Sequence, residues 1–261
     1  MTAANRAGKC FMVLLLGVSA LACASPPPPE RDAGQATREA HARRNLGVDH
    51  LLKGRTAVAI RELNHAAVLD PADASTQLWL GEAHRRQRRL KNAQDHAERA
   101  VRLDPGLHSA RLNLSGLYLQ LGLYPEAAEQ VQVLLDDPTY ETPWQALNNR
   151  GWAEFQLGHD EQARRSFQEA LEFAQNYWPA RLNLGILEES VGQGRAAIVE
   201  FQKVIANSPQ SAIAEANFRV AELYVSMGER QHAISHFEAS VDSAPRGKWS
   251  ERSRELLELL R

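Results

Sequence analysis

Six pairs of small residues, the two members of each lying twelve positions apart, recur at a nearly constant interval along this chain. The first members are Gly47, Gly81, Ser115, Gly151, Gly185 and Ala221, and the second are Ala59, Ala93, Ala127, Ala163, Ala197 and Ala233. Successive alanines are separated by 34, 34, 36, 34 and 36 residues. A repeat of this length is typical of stacked helix pairs, whose axes approach to about 8–10 Å where they cross and so need small side chains there. The repeat predicts an all-α fold and argues against an enzyme.

Each repeat also carries signals for the ends of its helices. In five repeats a glycine stands seven positions after the first small residue, which suits the left-handed conformation that often follows a helix; the second repeat has Arg88 there. Proline, which cannot continue a helix interior, closes four repeats at Pro71, Pro105, Pro209 and Pro245. The second helix usually turns a large apolar residue inward, with Ala97 as the exception. These residues are Leu63, Val131, Phe167, Phe201 and Phe237.

The pattern resembles that of the tetratricopeptide-repeat family, which has Leu-Gly, Ala, Phe or Tyr, Ala and Pro. The fifth repeat matches it as Leu184-Gly185, Ala197, Phe201 and Pro209. The resemblance implies a right-handed superhelical solenoid of six helix-turn-helix repeats over residues 39–247. Its units are about 40–73, 74–107, 108–141, 144–177, 178–211 and 214–247. The first family position, usually tryptophan, is replaced by Arg43, Gln77, Arg111, Leu147, Arg181 and Asn217. Residues 248–261 are predicted to form a capping helix, the alternative being a charged tail.

The N-terminal residues differ in character from the repeats. In residues 1–22, Arg6 and Lys9 precede a short apolar run, as in a secretory signal peptide, and the run is too short to span a bilayer. Cys23 follows directly and resembles the acceptor cysteine of bacterial lipoproteins, which implies lipidation of its thiol. Residues 23–38 include four consecutive prolines and are predicted to form an extended tether. An ordinary cleaved signal, with an incidental cysteine, is the alternative.

Charge and motif content narrow the range of functions. The formal net charge is −2, and it becomes −4 without Arg6 and Lys9, so nucleic acid is not an expected partner. The basic run at 84–91 could meet an acidic partner or lipid headgroups, or be a solvated loop. His232 and His236 share a helical face but lack the further ligands of a zinc site. We expect no catalytic residue, metal, cofactor or small-molecule substrate.

The first helix of each pair is expected to line the concave side of the array. Reading its positions in register gives an apolar stripe across the third to sixth repeats. The stripe consists of Leu112, Leu119, Trp152, Phe155, Leu182, Ile186 and Phe218. Because aromatic residues often dominate interface energetics, we predict that the stripe binds a partner peptide or helix; packing between helices is the alternative. Asn113, Asn149 and Asn183 recur beside it and could hold a ligand backbone or brace neighbouring helices.

A lipid-anchored array of six such repeats, with a short tether and a cap, resembles the pilotins of type IV pilus systems. The resemblance implies an outer-membrane lipoprotein on the periplasmic face that is required for type IV pilus biogenesis. It also implies that the groove binds secretin subunits and promotes their outer-membrane localisation and multimerisation. The alternative is a general scaffold lipoprotein for envelope assembly factors or peptidoglycan enzymes.

Overall fold

Residues 33–260 are described by a computed structural model, and this part of the chain is helical, without a strand. The helices are α1 Ala33–Leu52, α2 Thr56–Leu69, α3 Ala74–Arg86, α4 Leu90–Leu103, α5 His108–Leu121, α6 Tyr124–Leu135, α7 Pro143–Gln156, α8 Asp160–Phe173, α9 Trp178–Ser190, α10 Gly194–Asn207, α11 Gln210–Ser226, α12 Arg230–Ser243 and α13 Lys248–Leu260. Helices α1 to α12 form six successive pairs, so the predicted all-α solenoid of six repeats is confirmed.

The first helix begins earlier than the sequence pattern indicated. We expected the repeats to start at residue 39, but α1 starts at Ala33, so residues 33–38 are helical and do not belong to a tether. The predicted signal peptide, Cys23 and the four prolines lie outside the described residues.

Small residues are found where the helices of a pair cross, for the steric reason inferred from the sequence. A Cβ atom added to Gly185 would lie 2.5 Å from Cε1 of Phe201, and one added to Gly151 would lie 2.7 Å from Cδ1 of Phe167. Both phenylalanines are fully buried. Since contacting carbon atoms prefer a separation of about 3.5–4.0 Å, glycine is needed at these two crossings because the facing ring already fills the space.

The turn of the second pair has the same backbone shape as the others, although it lacks the glycine. Arg88 has a φ of +58°, and it is the one residue other than glycine with positive φ between residues 33 and 260. Its N–H donates to the Arg85 carbonyl (2.9 Å), and the next N–H, of Arg89, donates to the His84 carbonyl (3.0 Å). Because a side chain is unfavourable in this conformation by about 1–2 kcal/mol, Arg88 places local strain in this turn.

The residues that replace the family tryptophan form polar contacts across each pair. In five pairs the side chain at this position bonds to the residue 19 positions later on the second helix. These contacts are Arg43–Glu62 (2.8 Å), Gln77–His96 (2.8 Å), Arg111–Gln130 (2.9 Å), Arg181–Glu200 (3.1 Å) and Asn217–His236 (2.8 Å). The fourth pair has Leu147 at the position and uses Arg150 with Glu169 (2.9 Å) instead. A repeated polar contact thus takes the place of tryptophan packing.

Contacts between neighbouring pairs give the array its curvature. Each first helix contacts the first helix of the next pair, from α1–α3 through α9–α11. The second helices of successive pairs do not contact one another within the described part of the chain. Because the pairs are close together on the side of the first helices and splayed on the other, that side is concave.

Helix α13 covers the end of the last pair, as the sequence predicted. It packs against both α11 and α12, and Leu257 joins Phe218 and Phe237 in one buried cluster. The buried Ser250 hydroxyl donates to the Ser240 carbonyl (2.9 Å). Across residues 33–260, none of the helices is both long enough and apolar enough to cross a bilayer.

Candidate functional site

The predicted apolar stripe is only partly available on the concave wall. Trp152 and Phe155 lie one turn apart on α7, with ring centroids 5.5 Å apart, and both are half-buried. Leu112, Leu119 and Ile186 are also half-buried. These five side chains keep surface that a partner could contact, and whether they bind one stays a prediction.

Two members of the stripe are core residues. Phe218 is only 1% exposed, and its ring lies 5.0 Å from Trp249 of α13 and 5.7 Å from Phe237. Leu182 is 7% exposed and packs in the cluster around Phe201. The expectation that both residues face a partner was therefore wrong, since the capping helix and the neighbouring pair cover them.

Two of the three recurring asparagines brace adjacent first helices. The Asn149 amide donates to the Ser115 hydroxyl (2.8 Å), and the Asn183 amide donates to the Asn148 side-chain oxygen (2.9 Å). Each contact joins one repeat to the repeat before it. Of the two roles that the sequence left open, bracing is the one seen for these residues.

The third asparagine differs from the other two. Asn113 is exposed, and its side chain forms no hydrogen bond with any residue that the structure describes. The reason lies in the preceding repeat, where Gly81 occupies the place that Ser115 has in the next one and offers no hydroxyl. Asn113 is left with a free amide on the concave wall.

A cavity of about 350 Å³ opens beside Asn113, between the second and third pairs. Its apolar floor is formed mainly by Leu78, Gly81, Ala93, Ala97 and Gly116. Its polar rim includes Glu82, Arg85, Asn113, Gln120 and Gln145. Tyr177, in the turn between α8 and α9, also lines it, so the curvature brings the end of the fourth pair near the second and third. An apolar floor with a few polar groups around it is typical of a binding site.

A second cavity continues the first along the wall. It measures about 380 Å³ and shares Gly116, Gln120 and Asn149 with the first, while Trp152 and Asn183 form part of its far side. The concave wall therefore carries one groove from the second to the fifth pair. The sequence analysis did not predict the part of the groove beside Ala97, although it noted Ala97 as the exception among the large inward residues.

The charges around the groove are largely paired. Burial alone would raise the pKa of the Glu82 carboxyl, but hydrogen bonds from Arg85 and Arg86 outweigh burial and lower that pKa below its ordinary value. Farther along, Arg219 bonds to Glu189 (2.9 Å). Nearby, burial is the main cause that raises the pKa of Glu222. Within the basic run at 84–91, Arg85 and Arg86 at the end of α3 are therefore paired with Glu82. Arg88 and Arg89, in the turn that follows, are exposed.

His232 and His236, which the sequence places on one helical face, contact side chains of the array. Residues 33–260 contain no cluster of three or more His, Cys, Asp or Glu side chains that could hold a metal ion. His232 bonds to Glu229 (2.9 Å) and His236 to Asn217 (2.8 Å), and both rings lie against Tyr224. Burial lowers the pKa of His236, with a smaller contribution from His232. His236 is half-buried and packs within the array, whereas His232 is exposed.

Comparisons with known families agree with this architecture. Models of the tetratricopeptide repeat match residues 44–108, 80–141, 144–177 and 214–246. The chain belongs to the tetratricopeptide-repeat family. The stretches matched together cover more than half of it, and the unmatched fifth pair, α9 and α10, has the same close crossing at Gly185.

Solved structures of other repeat proteins share the fold. One, described as the functional characterization of Pseudomonas aeruginosa pilF, is 19% identical, with a TM-score of 0.68, over 84% of this chain and 98% of that one. PilW, described as a widely conserved type IV pilus biogenesis factor, is 19% identical, with a TM-score of 0.72, over 82% of this chain and 97% of that one. A chain of the APC/C hetero-tetramer Cut9-Hcn1 is 21% identical, with a TM-score of 0.72, over 85% of this chain and 43% of that one.

One curated relative is a much longer protein. The anaphase-promoting complex subunit CDC16 of Saccharomyces cerevisiae is 27% identical over 202 residues. The match spans 73% of this chain but only 23% of that relative. This similarity therefore concerns the repeats.

Proposed function

We propose that the protein is a lipid-anchored outer-membrane factor of type IV pilus biogenesis that binds secretin subunits along its concave groove. In this role it promotes the localisation and multimerisation of secretin in the outer membrane. It acts as a binding scaffold, without catalysis, cofactor or small-molecule substrate, and its partners are proteins and the membrane.

Agreement in overall size carries the proposal. The alignments with pilF and PilW cover most of both partners, with 84% and 82% of this chain and 98% and 97% of those structures. Cut9 and CDC16 are covered only to 43% and 23% of their own length, and the MamA structure covers only 64% of this chain. The six pairs and cap therefore correspond to nearly all of the solved pilF and PilW chains and only to a part of the two anaphase-promoting complex proteins. The signal-like N-terminus and Cys23 add a membrane anchor that suits a pilus factor.

The early start of α1 sets a limit on the distance to the membrane. Ala33 lies ten positions after Cys23, and an extended chain spans at most about 3.6 Å per residue. A lipid on Cys23 would therefore hold the start of α1 within about 36 Å of the Cys23 Cα atom. In the proposed mechanism this short tether keeps the groove at the periplasmic face while secretin monomers collect in it.

The test compares the two cysteines of the chain in cells. A Cys23→Gly variant is expected to lose the heat-resistant secretin multimers and to leave secretin monomer, because the protein is no longer anchored. Cys10→Ser lies in the predicted signal and is the matched control, which should keep the multimers. Normal multimers in the Cys23→Gly strain would reject the proposal.

A pull-down of the anchored protein separates the proposal from the general-scaffold alternative. Secretin should dominate the captured proteins. Capture of peptidoglycan enzymes or envelope assembly factors without secretin would favour a general scaffold instead.

A further inference from the structure

The cavity between the second and third pairs exists because one side chain is small. In the other five pairs the inward position of the second helix holds Leu, Val or Phe, each buried under the first helix. The second pair has Ala97 there, and a Cβ on Gly81 would still lie only 3.3 Å from the Ala93 carbonyl. Gly116 leaves the opposite side open, since a Cβ there would meet only the Asn149 amide, at 3.9 Å. Nothing within the array fills this volume of about 350 Å³.

A free hydrogen-bonding group stands at the mouth of the cavity. The side-chain amides of Asn149 and Asn183 donate hydrogen bonds to the neighbouring first helix. Asn113 does not, and its amide can both donate to and accept from a peptide group. In an extended segment along the groove, a residue whose side chain enters the cavity would have its main chain close to Asn113.

The two charged residues that line the cavity, Glu82 and Arg85, pair with each other, and the arginines that follow them give this end of α3 a net positive charge. The Glu82 carboxylate bonds to both Arg85 (2.7 Å) and Arg86 (2.7 Å), so one negative charge faces two positive charges. Arg88 and Arg89 follow in the exposed turn and form no ion pair with the described residues. An acidic residue in the partner segment would find complementary charge here.

We infer that this cavity is a selectivity pocket for one bulky apolar side chain of an extended partner segment that also carries an acidic residue close by. The apolar side chain enters over Ala97 and Gly116, Asn113 bonds to the segment's main chain, and Arg85 faces the acidic residue. The inference rests on the proposal that the concave groove is the partner surface, but it does not depend on the partner being a secretin.

A random peptide library displayed on phage, selected on the purified full-length protein, tests the inference without assuming a partner. Enriched peptides should combine an aromatic or large aliphatic residue with an acidic neighbour. Their affinity should fall by about tenfold or more with Ala97→Leu, which restores the residue type of the other pairs. Selection on an Arg85→Gln variant should lose the acidic preference and keep the apolar one.

Further variants keep the test decisive if Ala97→Leu destabilises the fold. Gly116→Leu fills the cavity from its open side without a clash, and Asn113→Ala removes only an exposed amide, so both should fold and bind weakly. Ala57→Leu and Asn64→Ala, on the exposed face of α2, are the matched controls and should bind normally. Full binding by Gly116→Leu, or no enriched peptide at all, would overturn the pocket, whereas the secretin assay above reports on the anchored function separately.

Discussion

Replacing Gly185 with alanine should destabilise the protein, even though alanine is the better helix former. In a helix interior alanine is favoured over glycine by about 1 kcal/mol. The added methyl group, however, would lie 2.5 and 2.7 Å from two ring atoms of Phe201, which is fully buried and has no room to move. Overpacking of this kind costs about 1–3 kcal/mol. We expect a net loss of about 1 kcal/mol in the free energy of unfolding.

Gly116→Ala is the matched control, because its methyl group meets only the Asn149 amide at 3.9 Å. That variant should gain most of the helix preference, so the two variants should differ by about 1–3 kcal/mol. Urea unfolding followed by far-UV circular dichroism measures both, with an unchanged slope confirming that the same surface is exposed. In the Phe201→Leu background the Gly185→Ala penalty should shrink, which shows coupling between the two sites. Equal stabilisation by the two Gly→Ala changes would refute the close crossing.

Other variants test the strained turn, the part-buried ion pair and the histidines. Arg88→Gly should raise the unfolding free energy by about 0.5–1 kcal/mol, since it relieves a positive φ; a loss of stability in urea would contradict this. Arg164→Met should cost about 1–3 kcal/mol, because Glu188 is buried and loses its partner at 2.8 Å, although the contact as a whole is only part-buried. Adding Glu188→Leu should recover much of that loss, and no recovery would argue against the pair. Burial lowers the pKa values of His96 and His236, so the unfolded chain takes up protons first. Stability should therefore fall as the pH drops below about 6.5, and less steeply in a His96→Gln variant. If stability falls equally steeply with pH in the His96→Gln variant, groups other than His96 cause the pH dependence.

The period of small residues was sufficient to predict the helix pairs, because close crossing is a local steric requirement. The turns were predictable for the same kind of reason, since even the exception, Arg88, adopts the positive φ of the turn glycines. The polar contacts at a spacing of 19 residues were present in the sequence as Arg43 and Glu62 or Arg181 and Glu200. The family pattern does not indicate them, because it places a tryptophan at the first position.

Other features depended on contacts between elements that no local pattern specifies. Phe218 occupies a concave position by register, but Trp249 from the capping helix covers it. The cavity needs both a small side chain at position 97 and the way α3 and α5 approach each other, and only the first can be read from the sequence. The start of α1 at Ala33 was missed because residues 33–38 lie before the first repeat position and carry no periodic signal.

Site-specific photo-crosslinking in cells tests most directly whether the concave groove holds the partner. A photoreactive residue at Gln120, which lies in both cavities, should form an adduct with the bound protein. The same residue at Val68, on α2 and 79% exposed, should not. Adducts from position 68 with none from position 120 would contradict the account, because the partner would then bind the outer surface of the array.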